Sequence, residues 1–255
     1  MNVQHQWPDD VTTLAVDIGG SGFKAALLNA AGEMTTDRVR VDTPYPVDPE
    51  KFVVTVAELV RPLGSAQRAT VGFPGLVRDG KVVEVPSMSR REFGGARDEN
   101  LAAAWNGFEI ESELARAFGI PTIVANDADV QGSAVVSGNG FEFVMTLGTG
   151  VGTALFNHGI LLPHMELSHA PMTKSMSFDI ALGEANRKAV GNKKWRKLVA
   201  TAIEHFYEAL YFDRIYVGGG NARHLKSEDI DERVVIVPNS AGITGGVKVW
   251  AATAQ

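Results

Sequence analysis

The sequence has no cysteine among its 255 residues. Disulfide bonds, thiol catalysis and cysteine-ligated zinc are therefore excluded, and a cytoplasmic location is expected because reducing compartments do not favour structural disulfides. No apolar run approaches the roughly 20 residues that a helix needs to cross a bilayer. The N-terminal segment is polar and acidic, which does not fit a secretory signal. We therefore expect no membrane partner.

An excess of basic residues is also missing, because the formal net charge is −6 and no basic tail is present. Proteins whose main partner is nucleic acid usually carry a basic surface, so we expect no nucleic-acid partner. The hydrophobic fraction of 45% is that of an ordinary globular protein. Strand-like and helix-like segments alternate along the chain, and this alternation predicts an α/β fold.

A glycine-rich segment near the N-terminus, residues 16–24, predicts a strand, a tight turn and a second strand. Glycines let backbone N–H groups approach a phosphate closely, while a serine hydroxyl and a lysine can add further contacts. An aspartate beside a phosphate indicates an intervening cation, and Mg²⁺ is the expected one. A plain glycine hairpin is the alternative. The candidate residues are Asp17, Gly19, Gly20, Ser21, Gly22 and Lys24.

The same pattern recurs in residues 145–157, where the candidate phosphate-binding residues are Thr146, Gly148, Thr149 and Gly150. Two similar units indicate a duplicated domain. Two such hairpins facing each other across a cleft are the arrangement of the actin-like ATPases, a two-lobed fold built from ribonuclease H-like domains. We expect residues 1–127 to form one lobe and residues 128–255 the other. A last helix at about 240–255 can pack back on the first lobe.

Hydrophobic spacing supplies the remaining elements. It predicts a third strand over residues 33–41 and helices over roughly 178–190 and 193–211. The segment that contains Asn100 and Trp105 is predicted to be a connector, which either covers a pocket or packs as a loop.

A short apolar strand, residues 121–125, ends at Asn126 and Asp127. Ligands in open α/β sheets bind at the carboxyl ends of strands. Asp127 can act there as a general base toward a sugar hydroxyl, and the amide of Asn126 can hold neighbouring hydroxyls. Alternatively, one of the two residues only caps the following helix.

Glu166 and His169 are the next candidates, because a carboxylate and an imidazole can each bond sugar hydroxyls. They are three residues apart, so one helical turn would place them on the same face. A zinc site would need further ligands besides the nearby His164, and zinc is therefore not expected. A surface glutamate beside a structural histidine is the other alternative.

Two glycine turns and one basic run are the remaining candidate binding segments. Gly218, Gly219 and Gly220 end a strand, where an adenosine or a polyphosphate can lie against the backbone. Gly75 lies in a rigid turn that either lines a sugar pocket or serves only as a turn. The basic run at residues 193–197 is either a solvated helix face or a track for an extended polyanion.

In this order, the motifs resemble those of the ROK family of sugar kinases, and most of all its polyphosphate glucokinase and glucomannokinase branch. The resemblance covers nearly the whole chain. It implies that Asp127 is the catalytic base, that both glycine hairpins bind the donor phosphates, and that residues 217–220 form the adenosine-side turn. The implied sugar contacts are Asn100, Asn126, Asp127, Glu166, His169 and Gly75.

The chain departs from this family pattern in two respects. Ser168 replaces the glycine of a Glu-x-Gly-His motif, and the cysteine-rich zinc loop that follows this motif in other members is missing. His169 is therefore implied to contact sugar rather than a metal. Repressor members carry a helix-turn-helix domain before the first strand, whereas only residues 1–12 precede it here, so DNA binding is not expected.

The resemblance implies transfer of a phosphoryl group from ATP or polyphosphate, with Mg²⁺, to the 6-hydroxyl of glucose or mannose. An ATP-dependent kinase of another hexose or of an N-acetylated hexosamine is one alternative. A non-catalytic sugar sensor and an ATPase chaperone are alternatives of other classes. The donor, the preferred hexose and a homodimeric state stay open.

Overall fold

Two five-stranded sheets, one in each half of the chain, form the framework of the fold. The computed structural model describes residues 7–226, 232–237 and 241–253. Within these ranges, no helix is long and apolar enough to cross a membrane. The strands are β1 (Thr13–Gly19), β2 (Gly22–Leu28), β3 (Val39–Val41), β4 (Arg68–Phe73), β5 (Leu76–Arg78), β6 (Lys81–Glu84), β7 (Thr122–Asn126), β8 (Phe141–Leu147), β9 (Val151–Asn157), β10 (Ile160–Leu161), β11 (Arg214–Gly218) and β12 (Val234–Ile236). The α-helices are α1 (Pro49–Val60), α2 (Glu99–Trp105), α3 (Ile110–Phe118), α4 (Asp127–Val135), α5 (Phe178–Leu182), α6 (Glu184–Val190), α7 (Asn192–Leu210) and α8 (Ala241–Ala252).

The two sheets share one topology. Their strand orders are β3-β2-β1-β4-β7 and β10-β9-β8-β11-β12. Each contains an antiparallel hairpin, β1–β2 or β8–β9, whose second strand pairs with an antiparallel edge strand. The first strand of each hairpin pairs on its other side with a parallel strand, and that strand pairs with a further parallel one. This repeated topology confirms the predicted α/β fold with two ribonuclease H-like halves.

The described residues form two compact units. The first contains residues up to 134 together with the final helix from 242 onward, and the second contains residues 135–241. Each unit has its own apolar core. Phe52 and Trp105 pack edge to face in the first core, with ring centroids 5.3 Å apart. Phe143 and Phe206 pack in the second, at 5.1 Å. The lobe boundary predicted at residue 127 stays a prediction, although α4 groups with the first unit.

Helix α8 packs on the first sheet through small residues and buried hydrogen bonds. The Thr70 hydroxyl donates to the carbonyl of Gly246 at 2.6 Å and accepts from Nε1 of Trp250 at 2.9 Å. A Cβ atom at Gly245 would overlap the carbonyl of Val130 on α4. Glycine is therefore required where α8 approaches the backbone of α4. The C-terminal end of the chain is thus part of the unit that contains the first hairpin.

Two predicted elements differ from the observed ones. The predicted third strand over residues 33–41 is wrong in its first part, since β3 covers only Val39–Val41 and an isolated bridge joins Leu28 to Met34. The reason is local: the hydroxyl of Thr36 accepts the N–H of Leu27, so a side chain takes the place of a strand partner. The helix predicted over 178–190 is interrupted at Gly183.

The connector around Asn100 is a helix rather than a loop. Asp98 caps α2, because its Oδ1 accepts from the N–H groups of Asn100 and Leu101 at 3.0 and 3.1 Å. Trp105 is fully buried and donates from Nε1 to the carbonyl of Val47 at 3.0 Å. Trp105 is therefore a core residue and does not cover a pocket.

Candidate active site

Two carboxylates lie at one edge of the first sheet. Strands β1, β4 and β7 run parallel, so their carboxyl ends share an edge. Asp17 is in register with Gly72 on β4, and Gly72 is in register with Ala125 on β7. Strand β7 ends at Asn126 and Asp127 begins α4. Two strand spacings, about 10 Å, separate β1 from β7. Asp17 and Asp127 are therefore neighbours on the edge where ligands bind in such folds.

Asp17 and Lys24 face each other across the first hairpin. The Nζ atom of Lys24 lies 3.2 Å from Oδ2 of Asp17, and each side chain is 34% exposed. Mg²⁺ in phosphoryl-transfer sites is bound through one or two carboxylates together with phosphates and water, and a half-exposed carboxylate fits this requirement. Within the described ranges, no group of three or more His, Asp or Glu side chains is arranged to hold a metal ion. A cation at Asp17 would therefore need the donor phosphates as further ligands.

The first hairpin turn consists of Gly20 and Ser21, and its neighbouring carbonyl groups are already bonded. The hydroxyl of Thr43 donates to the carbonyl of Gly19 at 2.7 Å, and Nη2 of Arg40 donates to the carbonyl of Ser21 at 3.2 Å. The N–H groups of Gly20 and Ser21 have no partner in the part of the chain that the structure describes. Two successive free N–H groups form a concavity suited to an anion.

The glycines of this hairpin also make room for other side chains. The position of a Cβ atom at Gly20 lies 3.2 Å from Cε2 of Phe93, and that of Gly22 lies 2.9 Å from Nη2 of Arg40. A larger residue at either position would displace a neighbour. The glycine pattern therefore has a packing cause in addition to the phosphate approach that the sequence suggests.

Asn126 fixes the start of α4. Its Nδ2 donates to the carbonyl of Gly75 at 3.0 Å, and its Oδ1 accepts from the N–H of Ala128 at 2.8 Å. The side chain is buried, with 6% exposure. Asn126 thus caps the helix that carries Asp127, which is the alternative the sequence left open. A Cβ atom at Gly75 would overlap the carbonyl of Glu84, so Gly75 is required for close packing of the β5–β6 hairpin. Sugar contacts by Asn126 and Gly75 stay predictions.

The second hairpin turn, at Gly148, Thr149 and Gly150, also has bonded carbonyl groups beside two unbonded N–H groups among the described residues. The N–H of Glu184 donates to the carbonyls of Gly148 and Thr149, both at 3.1 Å, and Gly148 N–H closes the turn on the carbonyl of Gly150 at 2.9 Å. Nδ2 of Asn221 also donates to the Gly148 carbonyl, at 2.9 Å. Among the described residues, the N–H groups of Thr149 and Gly150 have no partner. Thr146 is used inside the hairpin, where its hydroxyl accepts the N–H of Gly152.

The triple-glycine turn lies beside this hairpin turn. Strand β11 is parallel to β8 and in register with it, with Gly218 opposite Thr146. Gly219 has a φ of +83° and no space for a Cβ atom against the backbone of Leu147, so only glycine fits. Apart from the adjoining residues in the chain, no atom of the described residues lies within 4 Å of a Cβ position at Gly148 or Gly220. These two glycines have open space on the face where a ligand can approach the backbone.

Glu166 lies between two histidines. Its Oε1 is 3.5 Å from Nε2 of His164 and its Oε2 is 3.9 Å from Nε2 of His169. A 3₁₀ turn at Leu167–His169 brings the pair together, as the three-residue spacing predicts. The hydrogen bond from His164, opposed by burial and supported by the charge of both histidines, lowers the pKa of Glu166. Glu166 is therefore held as an anion that can accept hydrogen bonds from sugar hydroxyls.

The remaining predicted residues lie on helices. Asn100 is exposed in the first turn of α2, and its contact with a sugar stays a prediction. In the basic run on α7, Lys193, Lys194 and Lys197 are exposed, whereas Trp195 is buried and donates to the carbonyl of Leu182 at 2.7 Å. The exposed lysines form a solvated helix face, and their use as a polyanion track stays a prediction.

A sequence profile of the ROK family matches residues 13–173, which is more than half of the chain. The chain belongs to the ROK family. It is 27% identical to the polyphosphate glucokinase of Mycobacterium tuberculosis (strain CDC 1551 / Oshkosh) over 244 residues, which covers 90% of this chain and 88% of that protein. It is 33% identical to an N-acetylmannosamine kinase of Escherichia coli (strain SE11) over 157 residues, which covers 60% of this chain and 50% of that protein.

A solved glucomannokinase structure matches the fold over nearly the whole chain. The inorganic polyphosphate/ATP-glucomannokinase of Arthrobacter sp. strain KM superimposes with a TM-score of 0.76 and 27% sequence identity. The match covers 95% of this chain and 99% of that one. The predicted family and actin-like ATPase fold are therefore confirmed.

Three functional candidates were not identified as such from the ROK-like motifs. The sequence indicates His164 only as a candidate metal ligand, although its spacing from Glu166 on an irregular segment allows the observed contact. Asn221 follows the triple glycine directly and fixes the turn at Gly148. Asp179 lies on α5, far along the chain from the hairpin it touches, and no local signal in the sequence points to it.

Proposed function

We propose that this ROK protein is a sugar kinase that transfers a phosphoryl group from polyphosphate or ATP to the 6-hydroxyl of glucose, with mannose as a second acceptor. The observation that carries the proposal is the pair of glycine hairpins. Each presents two successive N–H groups without a protein partner, while its carbonyl groups are bonded elsewhere. Such turns bind anions, and a protein that only binds sugar does not need them.

Each hairpin turn offers groups that suit the phosphates of a donor. In the second unit, the N–H groups of Thr149 and Gly150 suit phosphate oxygens, and the open faces of Gly148 and Gly220 suit the rest of the donor. In the first unit, Lys24 supplies a positive charge near the turn at Gly20. Polyphosphate and ATP share the phosphate chemistry that these turns recognise, and the names of the glucokinase and glucomannokinase relatives support both donors.

Mg²⁺ fits the first hairpin as part of this proposal. The half-exposed carboxylate of Asp17 would hold it together with the donor phosphates. When bound, the ion would neutralise negative charge on the donor, which is a main requirement of phosphoryl transfer. We propose no further protein ligand for it.

The acceptor sugar would be bound by Glu166 and His169 and activated by Asp127. The Glu166 anion and the half-exposed imidazole of His169 can each bond a hydroxyl. Asp127 at the carboxyl edge of the first sheet would accept the proton of the attacking 6-hydroxyl, while Asn126 fixes its position from the preceding residue. Most of the rate enhancement in such reactions comes from positioning and charge stabilisation.

A coupled assay of sugar phosphate formation tests the proposal directly. Glucose, mannose, fructose and N-acetylmannosamine are each combined with polyphosphate, ATP and GTP. We expect turnover with glucose, and with polyphosphate or ATP as donor. Sugar binding without turnover for every pair would instead support a non-catalytic sugar sensor. Turnover restricted to N-acetylmannosamine would support the second kind of relative, which shares a shorter part of the chain.

The Asp127→Asn variant tests the catalytic assignment. It keeps the size of the side chain and removes its basicity, so glucose affinity should change little while kcat falls by about 10²–10⁴-fold. Calorimetric glucose binding and steady-state kinetics give the two values. A kcat within a few-fold of the wild type would show that another group accepts the proton.

A further inference from the structure

The second hairpin turn, residues 148–150, packs against the segment that joins α5 to α6. Oδ1 of Asp179 accepts the N–H of Val151 at 2.7 Å, directly beside the turn. A Cβ atom at Gly150 would overlap the same oxygen. The backbone carbonyl of Asp179 accepts the N–H of Gly183 at 2.9 Å, and the next residue, Glu184, bonds two turn carbonyls through its N–H. One short segment therefore holds both sides of the turn.

We infer that Asp179 is a positioning residue for the phosphoryl donor: its carboxylate holds the turn in the form that leaves the N–H groups of Thr149 and Gly150 free. The inference rests on the proposed function, because it takes this turn to be the donor site. Val151 is 6% exposed, so water has little access to replace the carboxylate. Loss of the acceptor would leave a buried N–H unpaired, and the turn would relax to satisfy it.

The charges beside this turn are compensated. Glu184 pairs with Arg187 at 2.9 Å and with Lys188 at 3.0 Å. Hydrogen bonds from Lys188 and Arg187 hold the pKa of Glu184 at about 2. Asp179 is thus the carboxylate that contacts the turn directly, and its Oδ1 is occupied by a backbone N–H.

The chain offers a matched control at the start of β8, the strand that leads into this turn. Oδ2 of Asp213 accepts the N–H of Phe141 at 2.7 Å, and a Cβ atom at Gly140 would overlap that oxygen. The interaction is the same in kind as that of Asp179. The length of β8, seven residues, separates it from the turn, which is about 20 Å along a strand.

Calorimetric titration of the full-length protein with tripolyphosphate and with ATP tests the inference. We expect Asp179→Ala to bind both about tenfold more weakly, which corresponds to about 1.4 kcal/mol. Glucose binding should stay within about twofold, since Glu166 and His169 are not touched. Asp179→Asn keeps an oxygen for the Val151 N–H and should restore donor binding. Asp213→Ala should lower the denaturation midpoint without weakening donor binding.

Several results would overturn the inference. They are unchanged donor affinity in Asp179→Ala, an equal loss in Asp213→Ala, or a parallel loss of donor and glucose affinity. Should the alanine variant fail to fold, Asp179→Ser replaces it, because its side chain is too short to reach the Val151 N–H. Binding is measured without turnover, so the comparison decides the role of Asp179 even if the wild type transfers no phosphoryl group. A wild-type protein that transfers no phosphoryl group would count against the proposed function instead.

Discussion

Replacing Asn126 by alanine should destabilise the first unit and misplace the carboxylate of Asp127, which we propose as the catalytic base. The side chain makes two buried hydrogen bonds, one to the Gly75 carbonyl and one from the Ala128 N–H. The first joins the turn at Gly75 to the end of β7. The second satisfies a donor at the start of α4, which has no partner inside the helix.

The size of the effect follows from these two bonds. Loss of a helix cap costs about 1 kcal/mol, and leaving a buried carbonyl without its donor costs about 1–3 kcal/mol. The Gly75 backbone is buried, and Asn126 itself is 6% exposed, so water offers little compensation at either group. We therefore expect a total loss of about 2–4 kcal/mol in the free energy of unfolding of the first unit.

The Asn126→Ser variant separates the two contributions. Serine is a favoured cap, so it can accept the Ala128 N–H, but it has no amide to reach Gly75. Its expected loss is about 1–3 kcal/mol, from the Gly75 bond alone. The difference in the free energy of unfolding between the alanine and serine variants then measures the contribution of the helix cap. Urea denaturation of both variants and of the wild type gives these values, provided that the free energy of unfolding falls with urea concentration at the same slope in all three proteins.

The same variants link stability to catalysis. Asp127 follows Asn126 directly, and a displacement of about 1 Å in a catalytic group can cost about a hundredfold in rate. We expect kcat to fall at least tenfold in Asn126→Ala, with a smaller fall in Asn126→Ser because the helix start is retained. Wild-type stability and kcat in the alanine variant would refute the view that Asn126 acts mainly as a cap and tether. Normal stability with weaker glucose binding would favour a direct sugar contact instead.

Three further predictions concern other parts of the candidate site and the fold. His164→Leu should raise the pKa of Glu166, because the contacts with His164 that lower it are lost. Glucose affinity, which falls when the carboxylate is protonated, should then be lost at a higher pH than in the wild type. Calorimetry at a series of pH values measures this shift, and an unchanged pH dependence contradicts the prediction. Gly148→Ala should leave the denaturation midpoint unchanged because open space surrounds the Cβ position, while its methyl group raises the donor KM. Gly245→Ala should lower the thermal midpoint of unfolding, because its Cβ atom would overlap the carbonyl of Val130. An unchanged midpoint would mean that α8 shifts away from α4 without loss of stability.

Much of the candidate site could be predicted because it is written in local sequence. A strand followed by a glycine turn and a second strand encodes each hairpin, since turn chemistry and alternation act between near neighbours. The duplicated fold follows from the repeat of that pattern. The placement of Asp127 at a strand end required only a short apolar run before it. These features depend on residues within a few positions of one another.

The tertiary structure decided which contacts these residues make. The sequence does not show that Gly20 makes room for Phe93, or that Gly148 and Gly220 have open faces. It left Asn126 open between sugar contact and helix cap, and its two buried hydrogen bonds show the cap. The contact of Asp179 with the second turn joins residues 28 positions apart. Such contacts depend on how helices and strands pack across the unit. Local pattern therefore determined the hairpins and the fold, whereas packing determined which groups hold the hairpin turns in place.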